Sequence, residues 1–205
     1  MEELALHILD LVTNSIEAGC TRVIIGVDED IHSDSLTITV EDNGRGMDRD
    51  LLTRVTDPFA TTRTTRRVGL GIPLLAEAAG ICDGGVTIDS RKGRGTRVIA
   101  RFRYSHIDRM PLGDMPATLT AILGGNPGLR VIYEHSVNER RFTLDSEEIQ
   151  SKLGDVPVSD PMVLTWLRGY LKQSLDEIGG ARDEVSGGPR KDPQGSTGED
   201  EGPRR

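Results

Sequence analysis

The stretch Glu41-Asp42-Asn43-Gly44-Arg45-Gly46-Met47 governs how the rest of the chain is read. It follows residues 35–40, in which Leu36, Ile38 and Val40 alternate with Thr37 and Thr39, the period of a half-buried strand. An acid at the end of such a strand that runs directly into two glycines is placed in a pocket. Its carboxylate accepts hydrogen bonds, and Gly44 and Gly46, lacking a Cβ, let the backbone turn sharply beneath a flat ligand. An adenine amino group suits that chemistry. An Asp-Asn-Gly run equally suits the turn of a β-hairpin, and these seven residues do not choose between the two.

Composition narrows the choice of function class. A chain of 205 residues holds one domain with an appendage or two small domains, and 36% hydrophobic content predicts that part of it stays unfolded. A formal charge of -8 and a pI near 5.1, with no dense basic cluster, argue against a nucleic-acid partner bound by phosphate neutralisation. No apolar run approaches a membrane span, and the acidic start Met1-Glu2-Glu3 is the wrong opening for a signal peptide, so a cytoplasmic protein is expected. Cys20 and Cys82 have no His or Cys neighbour at metal-ligand spacing and read as two reduced, packed thiols.

Upstream of the opening stretch, residues 2–18 carry a helical pattern, and Gly19 stands where a left-handed terminating residue belongs. Leu9, Val12 and Ile16 recur as an apolar stripe, while His7, Asp10, Asn14 and Glu17 recur at three- and four-residue spacing on another face. A solvated face is the ordinary meaning of such a line. Asparagine is nonetheless unfavourable in mid-helix, and a carboxylate one turn before an amide can hold a water and a hydrated magnesium ion side by side. Residues 22–27 predict a strand buried on both sides, and Asp48 is placed to cap a short helix through Leu51, Leu52 and Val55. Residues 57–63 break that helix and lead into a polar, cationic flap. Val68-Gly69-Leu70-Gly71-Ile72 then opens a helix with Leu74, Leu75, Ala78 and Ala79 that ends at Gly80. Glycines at a helix start, preceded by Arg63, Arg66 and Arg67, offer free N–H groups and positive charge to a phosphate; exposed arginines would also serve solubility. Residues 85–90 and 95–103 predict two strands around the turn Gly93-Arg94-Gly95. Up to residue 104 the elements make an α/β fold, a two-layer sandwich of two or three helices over a mixed sheet of about four strands.

Four motifs in this order resemble the GHKL superfamily of ATP-binding domains, shared by DNA gyrase, heat-shock chaperones of the ninety-kilodalton class, histidine kinases and MutL mismatch-repair proteins. The resemblance covers residues 4–102 and implies a Bergerat-type fold that takes ATP and Mg2+. Residues 10–19 are most similar to the first helix of MutL and gyrase, which implies a water-activating carboxylate at Asp10, magnesium at Asn14 and support of the nucleotide site from Glu17. Asp42, Gly44, Gly46 and Met47 resemble the adenine box, with Asp42 accepting from the adenine amino group and Thr96 backing it through ordered water. Thr61, Thr62, Arg63 and Arg67, followed by Gly69, Leu70 and Gly71, resemble the histidine-kinase flap and phosphate loop. Two departures stand out. Arg67 and Val68 occupy the place where many histidine kinases have a further glycine, which stiffens the loop. Asp10 is one methylene shorter than the glutamate usual in the MutL and gyrase branch, which shortens its reach to water. His7, on the same helix as the nucleotide site, reads as a structural residue and not as a phosphoacceptor.

Residues 105–178 form a small α+β appendage: a helix capped by Asp114 with Leu119, Ile122 and Leu123 and closed by Gly124-Gly125, strands over residues 129–137 and 140–144, a short helix to residue 153, and a helix opened by Ser159-Asp160-Pro161. The apolar members of that last helix are Met162, Leu164, Trp166, Leu167, Leu171, Leu175 and Ile178, a surface for packing on the nucleotide domain or for a protein partner. Residues 179–205 read as a disordered tail. The functions implied fall in three classes: a slow ATPase switch cycling between ATP and ADP, a serine or histidine protein kinase, and a nucleotide-sensing subunit without useful turnover. Family resemblance points, for the last class, to hydrogenase or dehydrogenase subunits as partners.

Overall fold

The computed structural model describes residues 3–56 and 71–186. Helix α1 (Leu4–Glu17) leads into the antiparallel pair β1 (Arg22–Asp30) and β2 (Ser35–Asp42), then α2 (Arg49–Thr56) and α3 (Gly71–Ile81). Strands β3 (Gly85–Arg91) and β4 (Gly95–Arg103) form a second hairpin, and α4 (Met115–Gly125) precedes a third, β5 (Arg130–Val137) and β6 (Arg140–Asp145). The described chain closes with α5 (Ser146–Leu153) and α6 (Pro161–Ser186).

The strands form one six-stranded sheet in the order β3-β4-β2-β1-β5-β6, antiparallel except where β5 lies parallel to β1. The expected sheet of about four strands therefore gains two, because the hairpin of the appendage hydrogen-bonds directly onto β1. A parallel neighbour needs a crossover connection, and α4 lies on that path. Burial alternates along the central strands: Val23, Ile25 and Val27 in β1, Leu36, Ile38 and Val40 in β2, and Val98, Ala100 and Phe102 in β4 face the core. The strand at residues 22–27 is thus buried on one side and not on both, with Ile24 only partly covered, because a two-layer sandwich has a single core face.

Helices α1, α3, α4 and α6 contribute to that core through Leu4, Ile8, Leu11, Val12, Leu75, Ala79, Leu119, Ile122, Leu167 and Leu171. In α1 the deepest stripe is Leu4, Ile8, Leu11 and Val12; Leu9 and Ile16 only flank it. Gly19 ends α1 with φ +76, as its position predicts. Helix α3 continues one residue past Gly80, and the turn is made by Asp83 at φ 54. Asp114 accepts from the Ala117 N–H at 2.8 Å to cap α4, and its other oxygen takes Arg168 Nη2 of α6 at 2.9 Å. Helix α6 runs through Gly179 and Gly180 to Ser186, past residue 179 where the sequence predicts that the tail begins. Ile178 packs with Val137 and Phe142, and Arg140 Nη1 donates to the Glu177 carbonyl at 3.2 Å, so contacts from β5 and β6 outweigh the weak helix propensity of two glycines. The remainder of the expected tail lies outside the described residues.

Candidate nucleotide site

The end of β2 delivers Asp42 into the core face, where it is 9% exposed. Ser15 Oγ of α1 donates to its Oδ2 at 2.8 Å and the Gly44 N–H donates to its Oδ1 at 2.8 Å. An ionised carboxylate has about four acceptor positions, so each oxygen keeps room for a further donor. A Cβ on Gly44 would come within 3.0 Å of Asp42 Oδ1 and 3.1 Å of Ala18, so a side chain there would have to push the carboxylate or the end of α1 aside by a few tenths of an ångström. Gly46 adopts φ +62, and a Cβ there would fall 2.1 Å from the Arg91 carbonyl oxygen. The stretch is therefore not a hairpin turn: β2 pairs with β1 and β4, and the loop after it lies across the β3–β4 turn.

Register brings Thr96 of β4 directly opposite Asp42. Thr96 Oγ1 and Ser90 Oγ are 2.8 Å apart, and Ser90 Oγ also accepts from the Met47 N–H at 2.9 Å, which ties the loop to the β3–β4 hairpin. On the other side Asn43 Oδ1 accepts from the N–H groups of Thr21 and Arg22, both at 2.9 Å. Between these walls lies a cavity of about 190 Å³. Asn14, Glu17, Asp42, Gly46, Met47 and Thr96 line it together with apolar Leu11, Val40, Leu51, Val55, Ile72 and Val98. A largely apolar cavity with one buried acid in its lining suits a heteroaromatic base.

Asp10 lies outside that lining. Its carboxylate sits against the first residue of α3, so closely that a Cβ on Gly71 would fall 1.6 Å from Asp10 Oδ2. That oxygen is buried and, among the described residues, has no hydrogen-bond partner; His7 Nδ1, one turn earlier, is in the same condition. Burial pushes the His7 imidazole below its usual pKa, so the neutral form is favoured. A buried acceptor without a donor costs about 1–3 kcal/mol, a cost that a bound water or ligand would relieve. Glu17 is exposed at the rim. Thr61, Thr62, Arg63, Arg67, Gly69 and Leu70 lie outside the described residues.

The sequence did not single out Ser15, Ser90 or Asn43. Ser15 carries a faint signal, a polar residue on the buried side of α1; Ser90 carries none, since only strand register brings it to Thr96. Both cysteines are free, Cys82 buried and Cys20 partly so, and burial raises both thiols, which keeps them protonated. A larger cavity, of about 760 Å³, opens beside α6 and the start of α4, with Glu29 and His135 in its lining. His135 Nε2 is 2.8 Å from Glu29 Oε1 and its Nδ1 is 2.8 Å from the Tyr133 hydroxyl, so both ring nitrogens are already engaged.

Residues 2–106 match the family described as Histidine kinase-, DNA gyrase B-, and HSP90-like ATPase. The Pseudomonas aeruginosa sensor protein kinase FleS is 40% identical over 89 residues, 43% of this chain and 22% of that protein. The sensory histidine kinase/phosphatase NtrB of Rhizobium meliloti is 40% identical over 86 residues, 42% of this chain and 22% of that protein. The chain thus spans about a fifth of the length of these curated relatives. The Aquifex aeolicus MutL ATPase domain complexed with ADP superposes with a TM-score of 0.46 at 15% identity, covering 75% of this chain and 69% of that one. No helix among the described residues is long and apolar enough to cross a membrane.

Proposed function

Starting from a chain that belongs to the histidine kinase-, DNA gyrase B- and HSP90-like ATPase family, we propose that it is a cytoplasmic ATP-binding switch that hydrolyses ATP slowly and passes the nucleotide state to a protein partner. The observation that carries this reading is Asp42, buried at the floor of the 190 Å³ slot with unspent acceptor positions and with Thr96 opposite. In this reading Asp42 accepts from the adenine amino group, and Gly44, Gly46 and Met47 shape the loop beside the base.

Among the described residues no three His, Cys, Asp or Glu side chains converge on one point, so in this reading the ion would arrive with its nucleotide. Mg2+ keeps several waters and takes few protein ligands, so the Asn14 amide oxygen, half-buried on the cavity wall, suffices as the protein's share. The ion would neutralise phosphate charge. In this reading Asp10, one turn from Asn14 and with a buried oxygen that has no partner among the described residues, would orient a water and take its proton. Arg63, Arg67, Gly69, Leu70 and Gly71 would hold phosphate, with Thr61 and Thr62 in the flap, and Glu17 would support the rim. Residues 1–104 would form the nucleotide unit and residues 105–178 the output side.

Incubation of the purified chain with γ-labelled ATP, Mg2+ and host extract tests the reading. Release of label as free phosphate is expected. Label on another protein would favour a protein kinase, the activity named for FleS and NtrB, and label on neither would favour a sensing subunit, of a hydrogenase or dehydrogenase complex by family resemblance.

A further inference from the structure

The larger cavity, beside α6 and the start of α4, shares no lining residue with the one around Asp42. Its volume of about 760 Å³ falls within the range of about 300–1,000 Å³ usual for sites that hold small organic molecules. Its walls come from elements far apart in the chain: β1, β5, the segment 104–113, the first turn of α4 and one side of α6. Leu112, Met115, Pro116 and Leu175 supply apolar surface, and Glu29 and His135, bonded to each other, are its buried polar members. Apolar walls with a few convergent polar groups are the ordinary make-up of a ligand site.

Three cations line the cavity, and they differ in what they already hold. Arg168 Nη2 is 2.9 Å from Asp114 Oδ2, so its charge is matched. Arg109 is half-buried, and its partners are the Tyr104 and Met110 carbonyls and the Tyr104 ring, which lies 4.7 Å below the guanidinium. Carbonyls and a ring fix its orientation without matching its charge, and its Nη2 has no acceptor among the described residues. Lys172, one turn after Arg168 on α6, has no hydrogen bond or ion pair among the described residues. Of the acids in the lining, Glu29 is engaged by His135 and Asp114 by Arg168, which leaves Asp176. Two cations therefore stand against one acid, and a single negative charge on a ligand completes the balance. A charge drawn partly out of water is unfavourable until such a partner arrives.

We propose that this cavity binds a small organic acid, a single carboxylate on an apolar body, with the carboxylate at Arg109 and Lys172 and the body against Leu112, Met115 and Leu175. A guanidinium already held in one orientation loses little freedom when a carboxylate takes its remaining donors. Both ring nitrogens of His135 are engaged and Glu29 is itself acidic, so that end of the cavity rejects an anion and the ligand is oriented with its carboxylate toward α6 and the segment 104–113. A nucleotide polyphosphate brings more negative charge than the lining can match. The proposal stands apart from the nucleotide reading, since the two cavities share no residue.

Titration of the full chain with octanoate and with naphthoate, read from the methionine methyl signals in NMR spectra, tests it. Met115 lines this cavity, Met47 lines the one around Asp42, and Met162 stands exposed on α6, so the three signals tell the sites apart. At least one of the two acids should shift Met115 and leave Met47 and Met162 in place, with a Kd at or below about 1 mM. Acetate, which lacks the apolar body, and the matching neutral amides, which lack the charge, should bind at least about tenfold more weakly. Lys172 is exposed, so Lys172→Glu should leave the urea midpoint unchanged while weakening the acid at least about tenfold. The proposal is overturned if neither acid shifts Met115, if Met47 or Met162 responds in its place, if the amides bind as tightly as the acids, or if Lys172→Glu keeps the parental affinity.

Discussion

Two buried polar clusters lie on the core face of the same sheet, one at each end, and they differ in what they leave unspent. At the Glu29 end, Glu29, His135 and Tyr133 pair among themselves, and both imidazole nitrogens are used. At the Asp42 end, Ser15 and Gly44 fix the carboxylate but leave it acceptor capacity, and the nearby Asp10 Oδ2 has no partner among the described residues. The larger cavity belongs to the first cluster and the smaller to the second. Cavity size and unspent hydrogen-bonding capacity therefore point to different ends of the sheet: the relay is closed on itself, while Asp42 keeps acceptor positions free.

The contrast is sharpest in catalysis. Asp10→Asn keeps the shape of the helix and, on the proposed function, removes the base, so phosphate release should fall by about 10²- to 10⁴-fold while the affinity for ATP barely changes. If the variant turns over at the parental rate, Asp10 is not the base. Asp42→Asn should weaken ATP binding more than tenfold, as expected from losing a charged hydrogen bond of about 1.5 to 3 kcal/mol, and titration calorimetry with ATP and Mg2+ reads this directly. Unchanged affinity would end the adenine assignment.

The relay end should respond the other way round. Tyr133→Phe leaves His135 Nδ1 without its partner and should cost about 1–3 kcal/mol in urea unfolding, with nucleotide affinity intact. A loss of ATP binding instead would join the two ends into one functional unit and break the comparison.

The smallest effect expected is on acid stability. The Ala117 N–H, aided by Arg168, holds the Asp114 carboxyl below its usual range, and Arg130 does the same for Asp145. Folded-state values below the ordinary value of about 3.9 mean that this stabilisation is present above that pH and lost as pH falls through the depressed values. Thermal melting should therefore drop as the pH falls below about 4, and less steeply in Asp145→Asn.

Much of the local architecture is written locally. The alternation of Leu36, Ile38 and Val40 ends at a buried Asp42, Gly19 turns left-handed, and Asp48, Asp114 and Asp145 cap the helices that follow them. These features depend on residues within a few positions of one another, where period and capping chemistry suffice. Asp10 and Asn14 likewise share a helix face by spacing alone. What spacing could not give is everything that depends on distant pairing. The parallel docking of β5 on β1 turned a sheet of about four strands into one of six, and the β2–β4 register brought Ser90 and Thr96 to the Asp42 loop. Packing against β5 and β6 carried α6 through two glycines, and it divided that helix's apolar residues into a buried set around Leu167 and Leu171 and an outward set around Trp166. A sequence records which residues are apolar or polar; which of them meet is decided by long-range contacts whose register and burial no local pattern contains.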